Sequence, residues 1–425
     1  MAKTISKKRL LWRGRSIFLP EYLRVLSTRG MAGIRRYVKM LNFTIENERL
    51  VEHTQKAIVQ LFVPPIPSRP FARYLRSYTD RLVLNQKNLH LGTVLISITN
   101  ACPYDCWYCS ARGMSQGQLS KEDIEKVLER LRLWGTSIIG FTGGEPLLRN
   151  DIDETIMRYR DEFTFMLFTS GNGLDRERAQ TLKANGMFGV AISLDDYRQV
   201  HHDRARGRRG AFKISCEAIK NSKDTGLYTV VQTVVSRDLL ENGRMWNFLS
   251  FVQQAGADEL LLLEPLGTGN LLQDDEHVFL TAQEREKIRW FHHAALSHEN
   301  LPKITSFADF EDRSRFGCGA GLQHAYVDGQ GNLWPCNFLP ISLGNMISEP
   351  DLVHERLTEY FGRAHNECLL MSKRRRIQNL ARQGTPIPFT RVKKMLDSHR
   401  QASENGARPA FYTALTTDNG RDSNE

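Results

Sequence analysis

No stretch of this 425-residue chain approaches the run of about 18 uninterrupted apolar residues that a membrane span needs, so none of it is expected to cross a bilayer. A small-residue cleavage site is also lacking after the basic N-terminus "MAKTISKKRLLWRGRSIFLPEYL", whose apolar stretches are broken by Arg13, Arg15 and Pro20. The chain is therefore expected to be cytoplasmic and unprocessed. Cysteine is scarce: seven residues, odd in number and unevenly spaced, which argues against a secreted disulfide framework and for metal ligation in a reducing compartment. Acidic residues are nearly missing from two segments. Residues 1–90 hold 18 Lys+Arg against 5 Asp+Glu and residues 372–400 hold 9 against 1, while residues 91–371 hold 29 against 38. The basic character thus belongs to two flanks, and the centre is acidic.

What is present begins near residue 93 as a strand-then-helix alternation. "TVLISITN" (93–100), "TSIIGFT" (136–142), "FTFMLFT" (163–169), "GVAISL" (189–194), "YTVVQTVV" (228–235) and "ELLLLEP" (259–265) read as strands by their β-branched and apolar runs. Helical segments lie between them, the first opened by Ser120 and Asp123 in a capping arrangement. Six βα units in series predict an α/β fold with a parallel sheet, either open or a partial barrel. In such sheets ligand sites lie at the carboxyl ends of the strands. The unusual residues fall there: "NACPYDCWYC" after the first strand, "GGEP" after the second, "SGNG" after the third, "DD" after the fourth and "EPLGTG" after the sixth. Beyond about residue 300, Gly-, Cys- and turn-rich sequence suggests a small hairpin-built second domain, and the last 25 residues read as a polar, disordered tail.

The cysteines divide into Cys102, Cys106 and Cys109, a looser group of Cys318, Cys336 and Cys368, and a lone Cys216 expected in the core. The first three form C-x3-C-x2-C with no histidine nearby to complete a closed zinc site. Thiolates in that spacing suit an iron–sulfur cluster with one iron left open, while zinc and unligated thiols remain possible on spacing alone.

This motif, placed after a first strand and followed by the βα series, resembles the radical S-adenosylmethionine (radical SAM) superfamily over residues 93 to about 297. The resemblance implies a partial (βα)6 TIM-like barrel whose [4Fe–4S] cluster is held by Cys102, Cys106 and Cys109, with S-adenosylmethionine on the open iron. It implies Tyr108 near the adenine, and the glycine motif of Gly143, Gly144, Glu145 and Pro146 receiving the methionine ammonium, a match that glycine's close approach and a carboxylate's charge make sensible. It places Ser193 and Asp195 for ribose or substrate contacts and the backbone of "EPLGTG" at the adenine. Asp238 stands where the family often has Asn. The implied activity is reductive cleavage of S-adenosylmethionine to a 5′-deoxyadenosyl radical that abstracts hydrogen from an unactivated C–H bond. Oxidation, cross-linking or C–C/C–S bond formation would follow, with electrons from a flavodoxin or ferredoxin. No residue is assigned as a specific base or donor. A zinc-stabilised scaffold without catalysis is the alternative.

Cys318, Gly331, Cys336 and "LGNM" (343–346) resemble the opening of the family's SPASM or Twitch extension, although the further cysteine run of a full SPASM pattern is missing. The resemblance implies one auxiliary [4Fe–4S] cluster on Cys318, Cys336 and Cys368, its fourth iron open or capped by a non-cysteine ligand, with His365 and Glu367 as nearby candidates. The expected layout is a basic helical extension (1–90), a radical SAM core (91–300), a Twitch-like domain (301–371) and a basic segment with a tail (372–425).

The flanks bear on substrate. Ile34, Tyr37, Val38 and Leu41 recur at helical spacing among Arg35, Arg36 and Lys39, which suits an anionic membrane surface at its inner face and a lipid substrate. The same helix packed on the barrel with solvated arginines is the plainer reading. Peptide substrates stay open, since many relatives with this extension modify peptides. The basic residues are not interleaved with aromatics as in an RNA-binding module, which argues against nucleic acid.

Overall fold

The computed structural model describes residues 3–86, 91–114, 116–273 and 276–416. Its centre is one nine-stranded sheet. Strands β1 (Thr93–Thr99), β2 (Ile138–Gly143), β3 (Thr164–Thr169), β4 (Met187–Ser193), β5 (Tyr228–Val234) and β6 (Glu259–Leu263) are the six anticipated strands, each within two residues of its expected limits. They pair in parallel in sequence order, starting with Thr93 opposite Ile138. Each strand is buried on both faces, which explains its nearly unbroken apolar sequence. Val94, Ile96, Phe141, Leu167, Ile192 and Leu260 pack towards the helices. Ile138, Met166, Ala191, Val230 and Leu261 form a separate inner cluster. Ser120 caps the helix Lys121–Leu133 through its hydroxyl, which accepts from the Asp123 N–H at 3.0 Å.

The sheet does not end at residue 300. β7 (Lys303–Ser306) pairs with β6, while β8 (His324–Val327) pairs in parallel with β1 and antiparallel with β9 (Leu333–Trp334). The order is β7-β6-β5-β4-β3-β2-β1-β8-β9. The anticipated hairpin is therefore real but belongs to the main sheet. Asp328 builds its turn by accepting from the N–H of Gln330 and of Asn332, both at 2.9 Å, and from the Trp334 indole at 3.2 Å. The ends of the sheet curl towards each other: Phe307, just after β7, lies edge-on to His324 at 6.3 Å. Phe62 packs on Phe307 at 5.3 Å, and Val51, Ile58 and Leu61 join the inner cluster. The N-terminal segment is thus part of the barrel's packing, not a detachable arm.

Among the described residues, α1 (Lys7–Arg13), α2 (Arg15–Ile45, broken by a non-helical Gly30 with φ 60°) and α3 (Arg69–Leu82) precede the barrel. Of the two readings of α2, the structure agrees with the packed one. Ile34 and Tyr37 are buried in the cluster shared with α3, Leu41 is half-buried, and only Val38 of that set is exposed. The polar tail needs correction, because helices Phe389–Asn405 and Ala410–Ala414 cover part of it. Phe411 is fully buried, with ring centroids 4.9 Å from Phe316 and 5.2 Å from Phe43. That burial contributes about 2 kcal/mol and outweighs the polar composition around it. Residues 417–425 lie outside the described set.

Candidate active site at the carboxyl end of the sheet

A cavity of about 500 Å³ opens at the carboxyl ends of β1 to β6, within the size range of small-molecule sites. Cys102, Cys106, Cys109, Tyr108, Gly143, Gly144, Ser193 and Asp195 all line it. Its remaining wall is mixed, with aromatic side chains that include Phe168, Phe307, Tyr326 and Trp334. Of the expected site residues, Glu145 and Pro146 do not face the cavity.

The two glycines let the end of β2 touch the cysteine loop. Gly143 has φ 133°, and a Cβ there would sit 2.2 Å from the Thr99 carbonyl oxygen. At Gly144 a Cβ would meet the Ala101 carbonyl oxygen at 2.2 Å, where the Gly144 N–H already donates to Thr99 O at 2.6 Å. Both obstacles are backbone, so neither can swing aside. Gly144→Ala is expected to displace the cysteine loop and destabilise the fold by about 1–3 kcal/mol. A lowered denaturant midpoint together with reduced iron content would confirm it, whereas wild-type values for both would show that the loop tolerates the methyl group.

Glu145 works differently from the expectation. Its carboxylate is fully buried and accepts from Leu147 N at 3.1 Å, Thr169 Oγ1 at 2.6 Å, Ser170 N at 2.9 Å and the Ser170 hydroxyl. Burial raises its pKa against the pull of these donors. Glu145 therefore ties the end of β2 to the end of β3. Asp238 also lies outside the cavity, on the surface between Arg198 and Arg244. At the end of β5 it is Gln232, Thr233 and Val234 that face inward, and Gln232 donates to Ser193 Oγ at 2.9 Å.

Sequence reasoning missed Arg206. It sits just after helix Gln199–Ala205, one of four arginines in "RARGRRG", and it is buried. Its Nη1 donates to Cys106 Sγ at 3.2 Å and its Nε lies 3.3 Å from Asp195 Oδ2. The Tyr108 hydroxyl donates to that same carboxylate oxygen. Asp195 is held in turn by Val234 N at 3.2 Å, while its own N–H donates to His202 Nδ1 at 3.0 Å. Burial raises the Cys106 pKa and Arg206 opposes that shift. Asn270 was missed as well. It caps the cysteine loop from the β6 side, with its N–H on Cys109 O at 2.9 Å and its amide on Cys106 O at 2.7 Å. Beside it, Gly269 packs so closely that a Cβ would be 2.0 Å from the Cys109 carbonyl oxygen.

A second cavity, about 400 Å³, brings together Cys318, Cys336 and Cys368. It shares Leu263, Glu264, Leu266, Phe307 and Phe338 with the first, so the two are neighbours. The Cys318 thiol donates to Cys368, which raises the first and lowers the second to about 7. Cys336 is raised by burial. Glu311 lines the same cavity and is pushed up to about 8 by burial and by the negative charge of Cys368 and Glu264. Of the two ligand candidates read from sequence, Glu367 lines this cavity but is exposed. His365 turns away: its ring stacks on His399 at 4.1 Å and bonds Ser403. Cys216 is half-buried on helix Ala211–Asp224 and lines neither cavity.

The donor sets fit iron–sulfur clusters. Among the described residues, neither trio brings three Cys, His or carboxylate ligand atoms within 4.8 Å of one another. A single zinc ion, with Zn–S near 2.3 Å, needs its ligands under about 4 Å apart. At the first trio a buried guanidinium already donates to one sulfur, and its Nη2 has no hydrogen-bond partner among the described residues. At the second, four acidic groups share one buried space. The described residues do hold one cluster at single-ion spacing, Asp196, His201 and Asp238, but the Arg198 guanidinium already bonds both of its carboxylates.

Residues 96–242 match the family model described as the radical SAM superfamily. This stretch is a radical SAM domain. The domain begins within β1 and ends just past β5, so it contains the first three cysteines, the glycine motif, Asp195 and Arg206. Over 291 residues the chain is 26% identical to an AdoMet-dependent heme synthase of Nitratidesulfovibrio vulgaris, covering 62% of this chain and 78% of that protein. Over 189 residues it is 33% identical to a probable GTP 3′,8-cyclase of Saccharolobus solfataricus, covering 43% of this chain and 60% of the relative. The solved structure of histidine-tagged anSMEcpe with bound AdoMet superposes with a TM-score of 0.51 at 17% identity, over 76% of this chain and 97% of the other. That likeness is one of fold. Among the described residues, no helix is long and apolar enough to cross a membrane.

Proposed function

We propose that the protein is a two-cluster radical SAM enzyme acting at an unactivated carbon of a membrane-derived lipid. The observation that carries the two-cluster reading is the pair of adjoining cysteine-lined cavities with a common wall at Phe307 and Phe338. Cys102, Cys106 and Cys109 would hold a [4Fe–4S] cluster, and Cys318, Cys336 and Cys368 an auxiliary one. When bound, the first cluster with S-adenosylmethionine supplies one-electron cleavage of the sulfonium and abstraction of a substrate hydrogen. The chain's own residues do the rest. The backbone of Gly143 and Gly144 gives a close approach for the methionine end, while Ser193, Asp195 and Tyr108 present polar atoms towards a nucleoside. The aromatic wall excludes water from a reactive species and holds apolar substrate. Exposed Trp107, inside the cysteine loop, bonds through its backbone N–H to Ala205 O at 3.3 Å, beside the exposed Arg204 and, past the helix end, Arg209, a cationic face suited to an acidic flavodoxin or ferredoxin.

The lipid reading rests on a surface different from the one expected. Leu11, Trp12, Leu19, Leu23, Leu26, Met31 and Val38 are large apolar side chains exposed within residues 11–38. Leu19, Leu23 and Leu26 share one face of α2, opposite the buried Val25. Residues 3–45 carry eleven Lys+Arg and a single acid, Glu21, which is buried against Arg24. Apolar side chains fringed by cations match an anionic lipid surface. Full-length protein is expected to float with vesicles containing phosphatidylglycerol and to stay behind with phosphatidylcholine alone, and the L19E/L23E variant should lose flotation while keeping its fold. Full-length protein that ignores anionic vesicles would remove the lipid reading and leave a peptide as the better substrate class.

A further inference from the structure

We propose that Glu311 is the fourth ligand of the auxiliary cluster, closing it against substrate; the inference rests on the auxiliary-cluster reading above. Glu311 follows the short helix Phe307–Phe310 at the end of β7, and its side chain points into the cavity formed by Cys318, Cys336 and Cys368. Its side chain shares the lining of that cavity with all three cysteines. The side chain is only 17% exposed, and its one ion-pair partner among the described residues is His324, whose Nε2 stands 3.6 Å from Oε1. That distance is too long for a hydrogen bond, so the imidazole does not tie up the oxygen.

The competing ligands are weaker on the same grounds. The His365 ring stacks on His399 and bonds Ser403 through Nδ1, and although its Nε2 has no hydrogen-bond partner among the described residues, His365 is not part of the cavity's lining. Glu367 is exposed, and Glu264 is held by Arg285 at 2.8 Å. Buried thiols and a buried carboxyl stay protonated on their own and lose their protons when a metal binds, and four iron ions supply the positive charge that the deprotonated set requires. Ligated on all four irons, the auxiliary cluster has no open position, so substrate is held by the cavity walls alone.

The test uses the full chain with Cys102, Cys106 and Cys109 changed to alanine, which leaves one cluster to observe, compared with the same chain carrying Glu311→Gln, Glu311→Ala or Glu311→Cys. Each is reduced anaerobically and its EPR spectrum recorded with and without added cyanide as the probe of an open iron. The parent and the Cys variant are expected to keep their spectra when cyanide is added. The Ala and Gln variants should shift with cyanide and lose one iron on mild oxidation, giving a three-iron signal several-fold stronger than the parent's. A parent that binds cyanide as readily as the Ala variant overturns the ligand assignment. A parent that holds no iron overturns the auxiliary-cluster reading beneath it. The near-isosteric Gln variant keeps the comparison informative if the Ala or Cys chain folds poorly.

Discussion

Replacing Cys106 with alanine is expected to strip iron from the first site and lower 5′-deoxyadenosine formation by at least about 10³-fold, while the second cluster's absorbance survives. Cys106 is the most telling of its trio because it is buried and is the sulfur to which Arg206 donates. Its packing partners are few, chiefly Tyr104 and Ala211, so loss of the thiol costs only about 1 kcal/mol of packing and the barrel should stand. Unchanged far-UV circular dichroism combined with roughly half the iron of wild type would separate loss of ligation from loss of fold. Full iron and full turnover in the variant would mean that the loop binds no cluster.

Arg206→Leu carries the second large effect, on two independent readouts. The guanidinium is buried between Asp195 and the Cys106 sulfur, so its removal leaves a buried carboxylate without its cation and should cost about 3–5 kcal/mol. Adding Asp195→Asn should recover part of that loss, because the second change removes the stranded charge. The second readout is electrochemical. A cation and an N–H donor at a cluster sulfur favour the reduced, more negative state, so their loss should move the midpoint potential of the first cluster to a more negative value. Arg206→Lys, which keeps the charge but not the fork, should fall between the two. A midpoint potential unchanged in Arg206→Leu would reduce Arg206 to a packing role.

The barrel was legible because each of its first six strands carries an apolar run that burial on both faces demands. The seventh was not, nor was the joining of the eighth to the main sheet, since Lys303–Ser306 and His324–Val327 are four residues each and include Lys303 and His324. Lys303 is buried only because it meets Glu48 at 2.5 Å, a long-range pairing that no local pattern reveals. The orientation of α2 was left open by the sequence for a related reason. Periodicity locates an apolar stripe but not its partner, and α2 is broken at Gly30 into two segments, the second burying Tyr37 and the first exposing Leu19. At the site, the cysteines and glycines could be found because their chemistry is unusual in sequence. Arg206, Asn270 and Glu311 could not, because each is an ordinary polar residue in a charged or turn-rich stretch that becomes special only when the fold sets it against a sulfur or a loop carbonyl.

The most direct test of the whole reading is to purify the full chain without oxygen, reduce it with dithionite in the presence of S-adenosylmethionine, and assay 5′-deoxyadenosine together with iron and zinc. A brown protein with iron for two clusters that forms 5′-deoxyadenosine is the predicted result. A colourless, zinc-containing protein that leaves S-adenosylmethionine intact would contradict it.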